Sequence, residues 1–362
     1  MLKSLLFFFG LAIAALTAQA YEVDDFYCAQ KLASQPQAVS KDVEARLNAF
    51  TEEKLKEAVE AINGKILEEI EKGRVNHTTC DDWGTKYNYL LKSVRKRLSS
   101  GVISELENFA SENLQGQVCR VDKSQSIYAG HGGGIFGVLD VLDSIGVRAA
   151  LGETVKICGV ITGTDKLGHF FGEGMDLLPY GRDVRGVFNF GKAYKQNRKY
   201  EDGVLGTDST GVFSFGDMSA SVQGTRFFDT IVKYKHGSVA EKPTIYCSKV
   251  KKVVNGAERL VPAFVYNEQK PFRWCDHVNH SWDESLNCSD YTPQVKAIVE
   301  NNMKAKGYTC PREARLCREA YASLYSSFNT LADEFFHPAS LRAAKRDGTG
   351  QPPTKGKTPG SQ

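Results

Sequence analysis

Residues 39–70 read VSKDVEARLNAFTEEKLKEAVEAINGKILEEI, and this stretch decides the fold class. Val43, Leu47, Phe50, Leu55, Val59, Ile62, Ile66 and Ile70 recur every three to five residues among glutamates and lysines. That is the spacing of one apolar face on a long helix. Working outward, Tyr87, Leu90, Leu91, Val94 and Leu98 keep the same period, as do Ile103, Leu106 and Phe109. Residues 38–115 are therefore predicted to form a helical hairpin or small bundle within an N-terminal helical region, 21–125. Beyond it, a central region (126–240) holds most of the chain's 33 glycines, a sign of close backbone approaches and special backbone angles. That region also contains an apolar helix candidate, GIFGVLDVLDSIGVRAAL (134–151).

Asn255 and Gly256 separate two β-prone runs in KVKKVVNGAERLVPAFVY. The dipeptide readily takes the positive φ angles of a hairpin turn. Helical spacing returns at Val295, Ile298, Val299 and Met303, then at Leu316, Ala320, Leu324 and Phe328, so 241–340 reads as a hairpin followed by helices. A Pro/Gly/Lys-rich end (341–362) lacks the apolar content to fold. The expected fold is mostly α (α+β), a helical bundle with a Gly-rich centre and a small β-hairpin.

The first 20 residues, MLKSLLFFFGLAIAALTAQA, have an early lysine, an apolar core and small residues near the end. This describes a cleavable export signal and a secreted or periplasmic product with no transmembrane span in the mature chain. The 46 basic and 43 acidic residues nearly balance, which argues against nucleic-acid binding through a phosphate-neutralising patch. The nine cysteines, at 28, 80, 119, 158, 247, 275, 288, 310 and 317, read as disulfides in an exported chain. An odd number leaves one thiol over, and Cys158, alone in the apolar run VKICGVI, is the expected free one.

The chemistry is expected in GTDKLGHFFGEG (163–174), where Asp165, His169 and Glu173 stand four apart on one helical face. Thr162 and Asp165 have the spacing of a capping box, as do Ser214 and Asp217 in STGVFSFGDMSASVQGTRFF (209–228). Both acids are thus expected at helix starts, where they meet the positive end of the dipole. Gly168 and Gly172 would let another element approach closely, while the glycines flanking Glu173 would give a substrate access to it. TDKLGHFF together with TGVFSFGD resembles paired blocks of little-characterised exported bacterial proteins. The resemblance implies an envelope-associated protein with Asp165, Lys166, His169 and Asp217 in a common site, and implies no established reaction.

Three expectations follow. The first is a cofactor-free hydrolase of a cell-envelope polymer, a lysozyme-like glycosidase on peptidoglycan. In it Glu173 is the acid, Asp217 activates water or stabilises charge, His169 and Asp165 assist, and Lys166, His131 and Ser214 bind substrate. The spacing of the two carboxyls would separate retaining from inverting chemistry. The second is a metal-dependent hydrolase whose divalent ion is held by Asp165, His169 and Glu173, with one position left for water. The third is a non-enzymatic envelope scaffold or binding protein. Asp276, His277, His280 and Asp283 are metal-ligand types in a loop that reads as solvated, and Asn76, Asn279 and Asn287 match the N-glycosylation pattern.

Overall fold

The computed structural model describes residues 22–34, 42–73, 84–99, 104–114, 116–132, 151–182, 188–203, 205–233 and 242–346. The export signal, Cys80, Asn76, nearly all of the 134–151 helix candidate and the chain after 346 lie outside them. In chain order the helices are α1 (Asp25–Ser34), α2 (Glu44–Glu71), α3 (Gly84–Leu98), α4 (Glu105–Asn113), α5 (Asp165–Phe171), α6 (Glu173–Asp176), α7 (Leu178–Gly181), α8 (Phe190–Glu201), α9 (Phe215–Lys233), α10 (Pro293–Lys306), α11 (Ala314–Phe328) and α12 (Pro338–Lys345). The strands form three antiparallel pairs. These are β1 (Thr154–Ile157) with β2 (Val160–Gly163), β3 (Val212–Phe213) with β6 (Asp290–Tyr291), and β4 (Ile245–Val254) with β5 (Ala257–Tyr266). The fold is mostly α with small two-stranded sheets, as the periodicity implies.

The apolar face of α2 is the expected one: Leu47, Leu55, Val59, Ile62 and Ile66 are buried, with Thr51 and Ala58 on the same stripe. It packs on α3, whose Leu90, Leu91, Val94 and Leu98 are buried in turn. β4 and β5 meet at Asn255 and Gly256, with φ of 50° and 79° and Val254 opposite Ala257. The chain beyond 340 departs from expectation. Ser340 and Ala344 of α12 are buried, so the last helix runs to Lys345 where a tail was expected from 341.

VKICGVI is a hairpin whose Val155, Ile157 and Val160 are buried while Cys158 sits at its turn. Cys158 and Gly159 turn between β1 and β2 at φ of 54° and 80°, which brings Cys158 to the surface side, where it bonds Cys275. The expectation of a free Cys158 is thereby corrected. Among the described residues the free thiol is the buried Cys317, on α11. Cys28–Cys119 and Cys288–Cys310 are also bridged, and Cys247 is disulfide-bonded to a partner outside the described residues. These bridges fit an oxidising compartment, and no helix among the described residues is long and apolar enough to cross a membrane.

The loop from 273 to 289, expected to be solvated, is instead largely drawn into the core, with Arg273 and Asp276 left exposed. Trp274, Trp282, Asp283, Ser285 and Asn287 are essentially inaccessible. Trp274 donates its backbone N–H to Asn48 Oδ1 and its indole N–H to Thr51 Oγ1 on α2. Asn287 donates to the carbonyls of Ser281 and Phe335, so it is closed to glycosylation in the folded chain. The loop is drawn inward because its tryptophans complete an aromatic cluster with Phe170, Phe171 and Phe272, each ring contributing a large apolar area.

α9 is the element around which the site is organised. It packs against α5, α6 and α8, and it meets α5 and α6 at two glycines. A Cβ at Gly224 would lie 1.8 Å from the Phe170 carbonyl oxygen, and one at Gly174 would lie 2.8 Å from Gly224 Cα. Backbone meets backbone there, which sets how near the starts of α5 and α9 come to each other.

Candidate functional site

The strand β2 leads directly into α5, so the expected Thr162–Asp165 capping box does not form. Thr162 is a strand residue whose hydroxyl faces the carbonyls of Gly163 and Trp282. Thr164 holds the N-cap position without a side-chain cap bond. Asp165 Oδ1 accepts the N–H of Lys166, and its second oxygen is left for a charged partner. At α9 the Ser214 hydroxyl does accept the Asp217 N–H, at 3.1 Å. The Asp217 carboxylate nevertheless turns inward rather than closing the box around its own helix.

Both acids converge on Lys166, which is wholly buried. Its Nζ donates to Asp165 Oδ2 at 2.9 Å and to Glu284 Oε1 at 2.5 Å. Asp217 Oδ1 faces it at 2.6 Å, an ion contact without hydrogen-bond alignment. Burial alone would pull this lysine's pKa down, but the three carboxylates, with Asp25 behind them, hold it well above the usual value. It is a fixed cation. A substrate-binding role for Lys166, expected from the sequence, does not suit a side chain closed off from solvent on every side.

His169 bridges the remaining groups. Its Nε2 lies 3.4 Å from Asp217 Oδ2 and its Nδ1 lies 3.5 Å from Glu173 Oε2, with the Ser221 hydroxyl also 3.5 Å from Nδ1. The helix breaks at Gly172, yet the four-residue spacing still joins His169 to Glu173. Glu173 is the one partly open member, its side chain 21% exposed. The glycines beside it serve packing rather than access: Gly174 meets Gly224, and a Cβ at Gly172 would strike Ser99 Oγ at 2.7 Å.

Acid outnumbers base throughout this interior. Burial pushes Asp165 and Asp217 up to about 6 even though Lys166 pulls them down. Glu22, Asp25 and Glu201 lie far above the usual carboxylate range, from burial first and from neighbouring acids second. Glu107, whose Oε1 would lie 2.4 Å from a Cβ at Gly168, is pushed up to about 8 by burial, despite its bonds to Ser104. A set of carboxyls this dense can be held only by shared protons or by cations.

Asp165, His169 and Asp217 each bring one ligand atom to within 4.8 Å of the others, and all three side chains are buried. That span fits a single divalent ion at ordinary N/O bond lengths of about 2.0–2.4 Å. Asp217 takes the place that the sequence reading gave to Glu173. Glu173 lies at the other edge of the imidazole, with its Oε2 3.5 Å from Nδ1.

Of the other expected residues, Ser214 belongs to the site through Glu284, to which its hydroxyl donates at 2.8 Å. His131 is buried with its Nε2 3.0 Å from the Thr210 carbonyl, outside this set of contacts. Asp283 is paired with Arg312 at 2.8 Å, and His277 stacks on Phe272, so the four metal-ligand types of that loop do not assemble. Glu284, Glu107 and Ser221 were not anticipated. Ser104 and Glu107 form a capping box with both hydrogen bonds present, and the S-x-x-E spacing could have flagged it. Glu284 has no local signal, since it reaches Lys166 across 118 residues.

Comparison with family models, curated proteins and solved structures returns no match to this chain. The likeness of the TDKLGHFF and TGVFSFGD blocks to exported bacterial proteins thus gains no support from these comparisons, and the chemistry rests on the geometry above.

Proposed function

We propose that this chain is a metal-dependent hydrolase acting outside the cytoplasm, with a divalent cation held by Asp165, His169 and Asp217. The observation that carries the reading is the mutual approach of those three ligand atoms, from α5 and the first turn of α9, to within 4.8 Å in an interior short of positive charge. Three protein ligands leave a coordination position for water, and a bound cation would supply an activated water and a Lewis acid. This chain's own groups would then divide the work. Lys166 balances the outer carboxylate oxygens, Glu173 and Ser221 orient the ring of His169 from its Nδ1 side, and Glu284 anchors Lys166. An envelope component is the substrate class that the export signal suggests.

The glycosidase reading fares less well. The imidazole stands between Glu173 and Asp217, within 3.5 Å of each, so the two carboxyls do not face each other across a space that a glycosidic bond could enter. A second reading is favoured by one observation. The ligand residues are nearly inaccessible, which suits a polar lock that orders the helices of a non-enzymatic envelope protein.

Elemental analysis separates the two. Protein purified without chelator and equilibrated with micromolar zinc, manganese or magnesium should hold about one ion per chain. His169→Ala and Asp217→Asn should each weaken binding at least tenfold. Substoichiometric metal under all three conditions, or an unchanged affinity in both variants, would leave the polar lock.

A further inference from the structure

A second opening lies farther along α9. Asp217 and Arg226 are nine residues apart on this helix, about 14 Å along its axis. There Arg226 and Phe227 join Lys270, Phe272, Arg273 and His277, from the segment after β5, in lining a cavity of about 480 Å³. That size is within the range of small-molecule sites, about 300–1,000 Å³.

The charge of the cavity is one-sided. Among its described lining residues three are cations and one, Asp276, is an acid. Among the described residues neither Arg226 nor Lys270 has a carboxylate partner. Arg226 donates to the neutral hydroxyl of Ser327, and Arg273 reaches Glu44 only at 3.9 Å. This contrasts with the surroundings of Lys166, where acids enclose a buried cation, and with the whole sequence, where basic and acidic residues nearly balance.

The wall is aromatic. His277 stacks on Phe272 with ring centres 5.2 Å apart and planes 27° apart, and Phe227 meets Phe272 edge-on at 5.3 Å. Burial, aided by Arg226, pushes His277 down to about 3, so it offers a neutral ring. A guanidinium and an ammonium group without carboxylate partners, beside a flat apolar wall, recognise an oxyanion through charge-assisted hydrogen bonds, and the body carrying it through stacking.

We infer that this cavity binds a phosphate or carboxylate group borne on an aromatic or other flat apolar body. The site is separate from the metal cluster, and its test does not depend on that cluster. Calorimetric titration at low ionic strength would use phenyl phosphate and benzoate as probes, with inorganic phosphate and phenol as controls. At least one acidic probe should bind wild-type protein at least fivefold more tightly than either control, and whichever binds identifies the anion. Arg226→Gln combined with Lys270→Gln should weaken it at least tenfold with the melting temperature unchanged, since both side chains are at the surface. His169→Ala should leave binding intact, which excludes capture by the other site. Failure of both acidic probes to bind at 10 mM, or binding indifferent to the double substitution, would overturn the inference.

Discussion

Replacing Lys166 by methionine tests the electrostatic core of this molecule directly. The substitution keeps the length and apolar stem of the side chain and removes a buried cation that three carboxylates contact at 2.5–2.9 Å. Deleting one partner of a buried ion pair costs about 3–5 kcal/mol, because the other charge stays buried and uncompensated. At roughly 2 °C per kcal/mol for a chain of this size, the melting temperature should fall by about 6–10 °C at pH 8. The sign of the pH dependence follows from the carboxyls. Asp165 and Asp217 titrate at about 6 in the folded chain, above their unfolded value of 3.8. The folded state therefore binds more protons than the unfolded state between these values, and stability falls as pH rises through that window. Without the lysine both folded values rise further, so the window widens upward and the variant loses more at pH 8. At pH 5 the two acids already carry protons in the wild type, and the deficit should narrow. Urea denaturation followed by far-ultraviolet circular dichroism at pH 5 and 8, with chelator present so that no cation can substitute, measures both quantities. A deficit under about 1 kcal/mol at pH 8, or one that does not change with pH, would refute the reasoning.

Gly224→Ala places a methyl group 1.8 Å from the Phe170 carbonyl oxygen. Backbone on both sides must shift, so a loss of at least about 3 kcal/mol is expected in the same denaturation assay. His277 should stay neutral in the folded chain down to about pH 3, whereas the unfolded chain takes up its proton near 6.5. The His277 contribution to stability should thus decline as pH falls below 6.5, opposing the contribution of Asp165 and Asp217, and an NMR titration of the His277 ring should show no protonation at pH 5. Removing the Cys158–Cys275 bridge, which spans 117 residues, with a double serine substitution should cost about 2–5 kcal/mol by thermal denaturation.

The helices were legible because an amphipathic face is a local record of burial. The period of Leu47, Leu55, Ile62 and Ile66 survives in α2, and Asn255-Gly256 marks its turn by a backbone preference that needs no distant partner. The same local logic misread Cys158. Its apolar neighbours are compatible with either a buried run or a two-stranded hairpin, and only the bond to Cys275 distinguishes them. Composition also misjudged the loop from 273 to 289. Its polar residues suggested solvent, yet those groups are matched inside by partners such as Asn48, Thr51 and Phe335.

For the site, the sequence by itself named Asp165, His169 and Glu173 from residue type and four-residue spacing, and Asp217 from the S-x-x-D pattern of a capping box. Which of them share a centre was decided by tertiary structure alone. The glycine contact between α5, α6 and α9 sets the approach of two helix starts that lie about 50 residues apart, and that crossing brings Asp217 to the Nε2 side of His169 while Glu173 stays at Nδ1. Glu284 and the caging of Lys166 belong to the same class. Electrostatic pairing acts across space, and a carboxylate 118 positions away leaves no mark on the pattern around the lysine it holds.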